Sequence, residues 1–214
     1  DGQPFFTLVF STSNHPPFEF PPGRIEILEP PANTLHNAMR YADYAIGEFF
    51  RLAKREAYWH NTIFLVVADH NTRVFSLDLV PVERFHIPGL ILGPGVAARR
   101  DGMLASQVDL PPTLVDLMGL DALSPLFGRD LVTTPADTPG HAFMQYDLVN
   151  AYRVGDHVVI HAPYQPPLQF EYAGGRLRPE PLDPEFARDA LAHVQVPAML
   201  YRERRYSLAD EPAR

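Results

Sequence analysis

The apolar positions of the chain fall into short runs separated by proline-rich stretches, and two of these runs end in polar residues. Residues 62–68 read Thr-Ile-Phe-Leu-Val-Val-Ala and are followed at once by Asp69 and His70. Residues 5–10 read Phe-Phe-Thr-Leu-Val-Phe and lead into a polar loop that contains His15. Continuous apolar runs of this length predict strands that are buried on both faces, as in a parallel sheet.

A long amphipathic helix is predicted between these two strands. Asn33 or Thr34 can cap it, and its pattern fades near Trp59. The apolar residues recur at helical spacing and predict one apolar stripe, as in an amphipathic helix. That stripe comprises Leu35, Met39, Ala42, Ile46, Phe49, Phe50 and Ala53.

Two further helices are predicted later in the chain. Asp109 can cap a helix whose first turn holds two prolines, and Gly119 can terminate it. Residues 184–194 have a helical pattern, which Pro197 is expected to interrupt.

Short strands are predicted after the second helix. They cover residues 142–146, 151–154, 158–161 and 169–172, and a further strand at residues 85–92 precedes that helix. Gly174 and Gly175 predict a hairpin turn. The fold class is therefore α/β, with a mostly parallel sheet flanked by helices and a small antiparallel annex at the C-terminal end.

The position of the run at residues 5–10 bears on the domain organisation. It begins close to the start of the chain, although a doubly buried strand needs neighbours on both sides. No interior boundary divides the sequence. We therefore expect residues 1–214 to be the later part of a single domain whose N-terminal portion lies outside this sequence.

Composition narrows the possible functions. The chain has 214 residues, 46% of them hydrophobic, and a formal net charge of -8. That acidic balance argues against a nucleic-acid partner, because phosphate binding requires a basic face. The absence of cysteine excludes disulfides, thiolate ligands and a cysteine nucleophile. No apolar run approaches the roughly 20 residues that a membrane-spanning helix needs.

Asp69 and His70 are the strongest candidates for chemistry. Ligands in open parallel α/β sheets gather at the carboxyl ends of strands, and these residues follow such an end directly. A carboxylate beside an imidazole suits Mn²⁺, Zn²⁺ or Mg²⁺. The alternative is a turn-forming aspartate beside an exposed histidine. Two ligands also leave a metal site incomplete.

The other candidates are histidines. His15 follows a separate apolar strand and could bind a phosphoryl or hydroxyl group of a substrate in the same crevice; the alternative is a loop histidine packed on Pro16. His157 and His161 share a strand face and could form a metal pair, or be ordinary strand residues. No Gly-x-Ser-x-Gly elbow and no P-loop identify a nucleophile.

Several motifs together resemble one enzyme family. They are Phe-Ser-Thr-Ser-Asn-His-Pro-Pro-Phe at residues 10–18, Ala-Asp-His-Asn at 68–71, and the segments 41–50, 86–95, 107–119 and 127–131. Taken in their order along the chain, these segments resemble the lipoteichoic acid synthase and phosphoglycerol transferase branch of the sulfatase family, within the alkaline phosphatase superfamily.

The resemblance implies a phosphoglycerol transferase or phosphodiesterase that acts on a phosphatidylglycerol-like donor. Asp69 and His70 would bind one divalent metal ion, Mn²⁺ in the first place, with Mg²⁺ or Zn²⁺ as alternatives. His15 would contact the phosphoglycerol group. The threonine nucleophile and a glutamate ligand of the family have no counterpart here, so no catalytic residue is assigned within the chain.

The resemblance also implies a location and leaves two alternatives. Members of this branch act at the extracytoplasmic, periplasmic face of the cell membrane, anchored by transmembrane helices that would lie outside this chain. One alternative is a sulfatase-family hydrolase of sulfate or phosphate esters. The other is a catalytically inactive binding module. Without its nucleophile, the 214-residue chain is expected to be inactive alone and to bind metal weakly.

Overall fold

A computed structural model describes residues 3–71, 78–121 and 125–206. The chain forms two compact units, Asp1–Thr62 and Ile63–Arg214. The helices are α1 (Leu35–Ala53), α2 (Leu110–Leu117) and α3 (Pro184–Arg202). The strands are β1 (Phe64–Val67), β2 (Gly89–Leu92), β3 (His141–Tyr146), β4 (Val149–Val154), β5 (His157–His161), β6 (Leu168–Ala173) and β7 (Arg176–Glu180). The α/β class with an antiparallel C-terminal annex is confirmed.

Helix α1 dominates the first unit, and its start is fixed by two polar side chains. Thr34 caps it, as predicted, by accepting a hydrogen bond from the Asn37 N–H at 3.3 Å. The buried amide of Asn37 accepts from the Leu28 N–H and donates to the Glu29 carbonyl, both at 2.7 Å. Asn37 therefore anchors the proline-rich segment to the first turn of the helix.

One prediction for the first unit is wrong. Residues 5–10 form no strand, and their five large apolar side chains are 62–83% exposed. The apolar stripe of α1 is only partly covered: Met39, Ile46 and Phe49 are exposed, whereas Ala53 is buried and the other three members are intermediate in exposure. Periodicity identifies an apolar face but not what covers it.

Strands β1 and β2 open the second unit and pair antiparallel, with Phe64 opposite Leu92 and Val67 opposite Gly89. The predicted strand at residues 85–92 is shorter than expected, because residues 82–85 form a 3₁₀ turn. All strand pairs among the described residues are antiparallel. The parallel part of the predicted sheet therefore stays a prediction.

The annex is a five-stranded meander in the order β3-β4-β5-β6-β7. Gly174 and Gly175 form the predicted two-residue turn between β6 and β7, with φ values of +59° and +77°. Both values lie in the left-handed region that this hairpin turn requires, which glycine adopts without a steric penalty.

Alternating residues of β5 divide the core of the annex into two faces. One face contains Val80, Val82, Met144, Ala151, Val158 and Ile160. The other contains Tyr152, Val159, Ala187 and Ala190, and it is covered by α3. The meander is thus buried on both sides, by the segment before β2 and by the last helix.

Helix α3 is longer than predicted. Asp183 caps it by accepting from the Glu185 N–H at 2.8 Å. The helix continues through Pro197 to Arg202 instead of ending near residue 194. One turn before the proline, the His193 ring stacks on Tyr152 with ring centroids 4.4 Å apart. Packing against the sheet thus holds the helix where proline removes a backbone donor. Within the described part of the chain, no helix is long and apolar enough to cross a membrane.

Candidate metal centre

Asp69 and His70 lie together where β1 leaves its ladder. The last bond to the neighbouring segment runs from the Ala68 N–H to the Pro88 carbonyl at 3.3 Å. Oδ1 of Asp69 then accepts from the His70 N–H at 2.8 Å, which turns the chain away from the strand. Strand β1 therefore places both side chains at one corner, where the chain leaves the strand.

The ring of His70 is oriented by the backbone carbonyl of the next residue. Its Nδ1 lies 2.6 Å from the Asn71 carbonyl oxygen. Because a carbonyl only accepts, Nδ1 must carry the proton, and Nε2 then holds the lone pair in the neutral ring. Metal-binding histidines commonly donate their second N–H to a carbonyl in this way, which fixes the tautomer.

The two donor atoms have a separation that suits a shared metal ion. His70 Nε2 lies 3.4 Å from Asp69 Oδ2, and the side chains are 74% and 53% exposed. With metal–ligand bonds of about 2.1 Å, two ligands lie about 3.0 Å apart at a right angle and about 3.4 Å apart at a tetrahedral angle. The residues present fit a divalent ion, and both donors are open to solvent.

The corner brings together two candidate donor side chains, those of Asp69 and His70. Within residues 3–71, 78–121 and 125–206, no group of three or more histidine, aspartate or glutamate side chains is arranged to hold a metal ion. Structural zinc sites use four protein ligands and catalytic sites commonly use three, so further ligands are needed to complete a centre here.

Gln107 contacts this corner and was not identified from the sequence. Its Nε2 donates to the carbonyl oxygens of Ala68 and Asp69, both at 2.9 Å. The spacing Ser106-x-x-Asp109 is a capping-box signature and could have placed Gln107 at the start of a helical turn. Nothing in the sequence shows that its side chain reaches a strand end 38 residues away.

The backbone on either side of Gln107 is held in place by a buried polar network. The carboxylate of Asp109 accepts from the Ser106 N–H at 2.9 Å and from the Arg129 N–H at 2.8 Å. The hydroxyl of Ser106 accepts from the Phe143 N–H of β3 at 2.7 Å. Asp109 is the N-cap residue of α2, as predicted, but its side chain makes no cap bond to that helix and serves this network instead.

Arg129 completes the network from the turn after α2. Its Nη2 lies 3.0 Å from Asp109 and also donates to the Leu104 and His141 carbonyls, both at 3.2 Å. The adjacent Gly128 has a φ of +104°, and a Cβ there would lie 2.1 Å from the Val108 carbonyl oxygen. Only glycine allows the turn this close to the segment that carries Gln107.

His15 belongs to the first unit, whereas Asp69 and His70 belong to the second. Its ring is exposed, with Nδ1 2.9 Å from the Pro16 carbonyl oxygen. Its backbone N–H donates to the Thr12 carbonyl at 3.1 Å in a tight turn. The loop position is as predicted, and the substrate-binding role stays a prediction.

His157 and His161 do not act as a pair. Nδ1 of His157 lies 2.9 Å from Oε1 of Glu180, and Nε2 of His161 lies 3.1 Å from the Ala187 carbonyl oxygen. The hydrogen bond to Glu180 raises the pKa of His157. Each ring is turned toward its own partner, as in ordinary strand residues.

Comparisons with known proteins show which family the chain is similar to in sequence and fold. The family model described as Sulfatase matches residues 1–120. Lipoteichoic acid synthase 1 of Bacillus subtilis is 26% identical over 177 residues, covering 73% of this chain and 26% of that protein. Arylsulfatase K of Danio rerio is 29% identical over 123 residues, covering 51% of this chain and 24% of that protein.

One solved structure is similar over nearly all of the chain. It is a protein in the alkaline phosphatase superfamily from Vibrio parahaemolyticus, with a TM-score of 0.91 and 41% sequence identity. The match covers 97% of this chain and 52% of that one. The chain therefore spans about half of the Vibrio protein and about a quarter of the two curated relatives.

Proposed function

Because the chain belongs to the sulfatase family, we propose that it is the metal-binding later part of a phosphoglycerol transferase or phosphodiesterase. The observation that carries this proposal is the corner at the end of β1. There the lone pair of His70 Nε2 and the Oδ2 of Asp69 lie 3.4 Å apart and face solvent. The relatives with matching segments include lipoteichoic acid synthases, which supports a transferase of this branch.

One divalent ion would be held by Asp69 and His70, with Mn²⁺ as the first candidate and Mg²⁺ or Zn²⁺ as alternatives. When bound, such an ion supplies positive charge that stabilises developing charge on a nucleophile and on phosphoryl oxygens. The chain contributes a carboxylate whose Oδ1 is engaged by the His70 N–H and an imidazole whose tautomer is set by the Asn71 carbonyl. Both donors are thus oriented before any metal arrives.

His15 would bind the phosphoglycerol group of the substrate. Its Nδ1 is directed to the Pro16 carbonyl, so Nε2 of the exposed ring remains for the ligand. A neutral ring in this tautomer accepts a hydrogen bond from a glycerol hydroxyl, and a protonated ring donates to a phosphoryl oxygen. The role is binding rather than proton transfer.

The threonine nucleophile and the remaining metal ligands would come from an N-terminal part of the same domain. The Vibrio structure supports this, because the chain covers only 52% of it. The exposed apolar side chains at residues 5–10 and along α1 support it as well, since contiguous apolar surface usually marks an interface. This part of the domain is the partner that the chain needs for activity.

The substrate would be a phospholipid head group or another phosphodiester, at the extracytoplasmic, periplasmic face of the cell membrane. The anchor would consist of transmembrane helices outside this chain. The net charge of -8 favours a substrate held by metal and hydrogen bonds over a nucleic acid.

A sulfate or phosphate ester hydrolase is the second candidate, favoured by the similarity to Arylsulfatase K. The identity of the nucleophile distinguishes the transferase from the hydrolase. Threonine would support the transferase, and a cysteine or serine in a formylglycine context would support the hydrolase. A catalytically inactive binding module would carry neither.

The test uses the enzyme that contains this chain together with the rest of its domain. Asp69→Ala and His70→Ala should each abolish release of diacylglycerol from phosphatidylglycerol and weaken Mn²⁺ binding, measured by electron paramagnetic resonance of free Mn²⁺. Asp137→Ala removes an exposed carboxylate of a different loop and should leave both unchanged. Full activity in Asp69→Ala would refute the metal centre.

A further inference from the structure

We propose that Gln107 is a positioning residue for the metal corner, through its hydrogen bonds to the backbone on both sides of Asp69. This inference rests on the proposed function, because the corner matters only if Asp69 and His70 bind a metal. It concerns a side chain that touches neither substrate nor metal but determines where the two ligands point.

The contact uses the full donor capacity of the Gln107 side chain. A side-chain amide nitrogen carries two hydrogens. Nε2 of Gln107 directs one to the Ala68 carbonyl and the other to the Asp69 carbonyl, each at 2.9 Å. These carbonyls belong to the peptide units before and after the Asp69 Cα. Because both peptide units are fixed, the direction of the Asp69 Cα–Cβ bond and the position of the His70 backbone nitrogen are fixed as well.

The opposite side of the corner is held by different bonds. The Ala68 N–H is engaged by the Pro88 carbonyl, and Asp69 Oδ1 is engaged by the His70 N–H. The first bond ends the strand, and the second is local to the two ligands. The two hydrogen bonds of Gln107 join this corner to the segment that immediately precedes α2.

The support of Gln107 is rigid even though its tip is exposed. Its neighbour Ser106 and nearby Asp109 are buried, and Arg129 is tied to Asp109 at 3.0 Å. A buried, fully hydrogen-bonded carboxylate resists displacement, because moving it would leave charged groups unpaired. The backbone of residue 107 is therefore a fixed point from which the side chain reaches the corner.

Because the Gln107 side chain is exposed, a role in positioning the metal ligands can be distinguished from a role in folding stability. Water competes for an exposed hydrogen bond, so its net contribution to folding is small. Outer partners of metal ligands, in contrast, typically change metal affinity 10- to 100-fold when they are removed. Loss of the Gln107 amide should thus affect metal binding much more than unfolding.

The experiment compares Gln107→Met with Gln145→Met, in the enzyme that contains this chain with the rest of its domain. Gln145 is an exposed glutamine of β3 and serves as the matched control. Gln107→Met keeps the length of the side chain and removes both donors. We expect Mn²⁺ affinity, from electron paramagnetic resonance, to fall about 10-fold or more. The melting temperature should stay close to that of the parent, and Gln145→Met should change neither quantity.

A metal-free readout accompanies the binding assay. Nuclear magnetic resonance of the ¹⁵N-labelled protein should show lower order parameters for the Asp69 and His70 amides in Gln107→Met. Gln107→Asn keeps the amide but is one methylene shorter, so it should give an intermediate loss. Unchanged affinity and unchanged order parameters in Gln107→Met would overturn the positioning role.

The two proposals fail in different ways. If Asp69→Ala abolishes Mn²⁺ binding while Gln107→Met leaves affinity and amide order intact, the metal centre stands and the positioning role is refuted. If Asp69→Ala and His70→Ala leave Mn²⁺ affinity unchanged, the metal centre itself is refuted, and the positioning role with it.

Discussion

The carboxylate of Asp109 lies 3.0 Å from Nη2 of Arg129, and the Asp109 side chain has no exposure to solvent. This pair joins the start of α2 to the turn at residues 127–131, and Arg129 also reaches the backbone of Leu104 and His141. The ion pair is therefore the point where α2, the following turn and the first strand of the meander meet.

Breaking this pair should strongly destabilise the second unit. Asp109→Ala leaves Arg129 as a largely buried cation and is expected to cost about 3–5 kcal/mol of unfolding free energy. Arg188→Ala, which removes an arginine that is 72% exposed, should cost less than about 0.5 kcal/mol. Urea denaturation measures both. An Asp109→Ala protein as stable as Arg188→Ala would contradict the buried network.

Gly128→Ala should also destabilise the protein. The added Cβ would lie 2.1 Å from the Val108 carbonyl oxygen, at a φ of +104°. We expect a loss of at least about 1–3 kcal/mol. Gly47→Ala is the matched control, because a Cβ there meets nothing within 4 Å and the residue lies inside α1. That change should stabilise by about 0.5–1 kcal/mol, and thermal unfolding of the two variants should shift in opposite directions.

His157 and His141 should titrate on opposite sides of the ordinary value of 6.5. The hydrogen bond to Glu180 raises the pKa of His157, and burial, followed by the Arg129 charge, lowers the pKa of His141. For His157 the folded protein holds the proton more tightly. Its stabilising contribution is complete below the unfolded pKa and is lost as pH rises through the folded one.

For His141 the unfolded chain binds the proton more readily, so stability falls as pH drops from about 6.5 toward the lowered folded pKa. Ring resonances in a proton magnetic resonance titration measure both midpoints. Glu180→Gln should return the His157 midpoint toward its ordinary value and leave His141 unchanged. An unaltered His157 midpoint in Glu180→Gln would show that the hydrogen bond does not control this titration.

The isolated 214-residue chain should show no phosphodiester turnover, because the described residues supply only two candidate metal ligands and the sequence identifies no nucleophile. Its Mn²⁺ affinity should be weak for the same reason. Calorimetric titration and a diacylglycerol-release assay on the purified chain check this. Tight stoichiometric binding, or measurable turnover, would contradict the division of the domain proposed above.

The sequence was most informative where one local feature determines the structure. Gly174 and Gly175 predicted their hairpin because few residues tolerate positive φ at two successive positions. Thr34 predicted its cap because a hydroxyl at that position meets unpaired N–H groups. Asp69 and His70 were predicted to follow a strand end because the apolar run before them stops abruptly, and their role as metal ligands stays a prediction. Each of these signals lies within a few residues of the feature it predicts.

Features that depend on distant parts of the chain could not be predicted. Pro197 did not end α3, since the stacking of His193 on Tyr152 holds the helix against the sheet. Residues 5–10 formed no strand, because strand formation requires a partner and not only an apolar composition. The contact of Gln107 could not be predicted from the sequence, because it joins residues that are 38 positions apart.

The meander from β3 to β7 has a consequence for how the chain acquires its structure. Each strand hydrogen-bonds to the next one in sequence, and α3 returns to cover β4 and β5. Loops between such neighbours are short, so closing them costs little entropy, and low contact order favours rapid folding. We expect this region to behave as an early, independently cooperative folding nucleus, onto which the slower long-range pairing of the remaining strands is added.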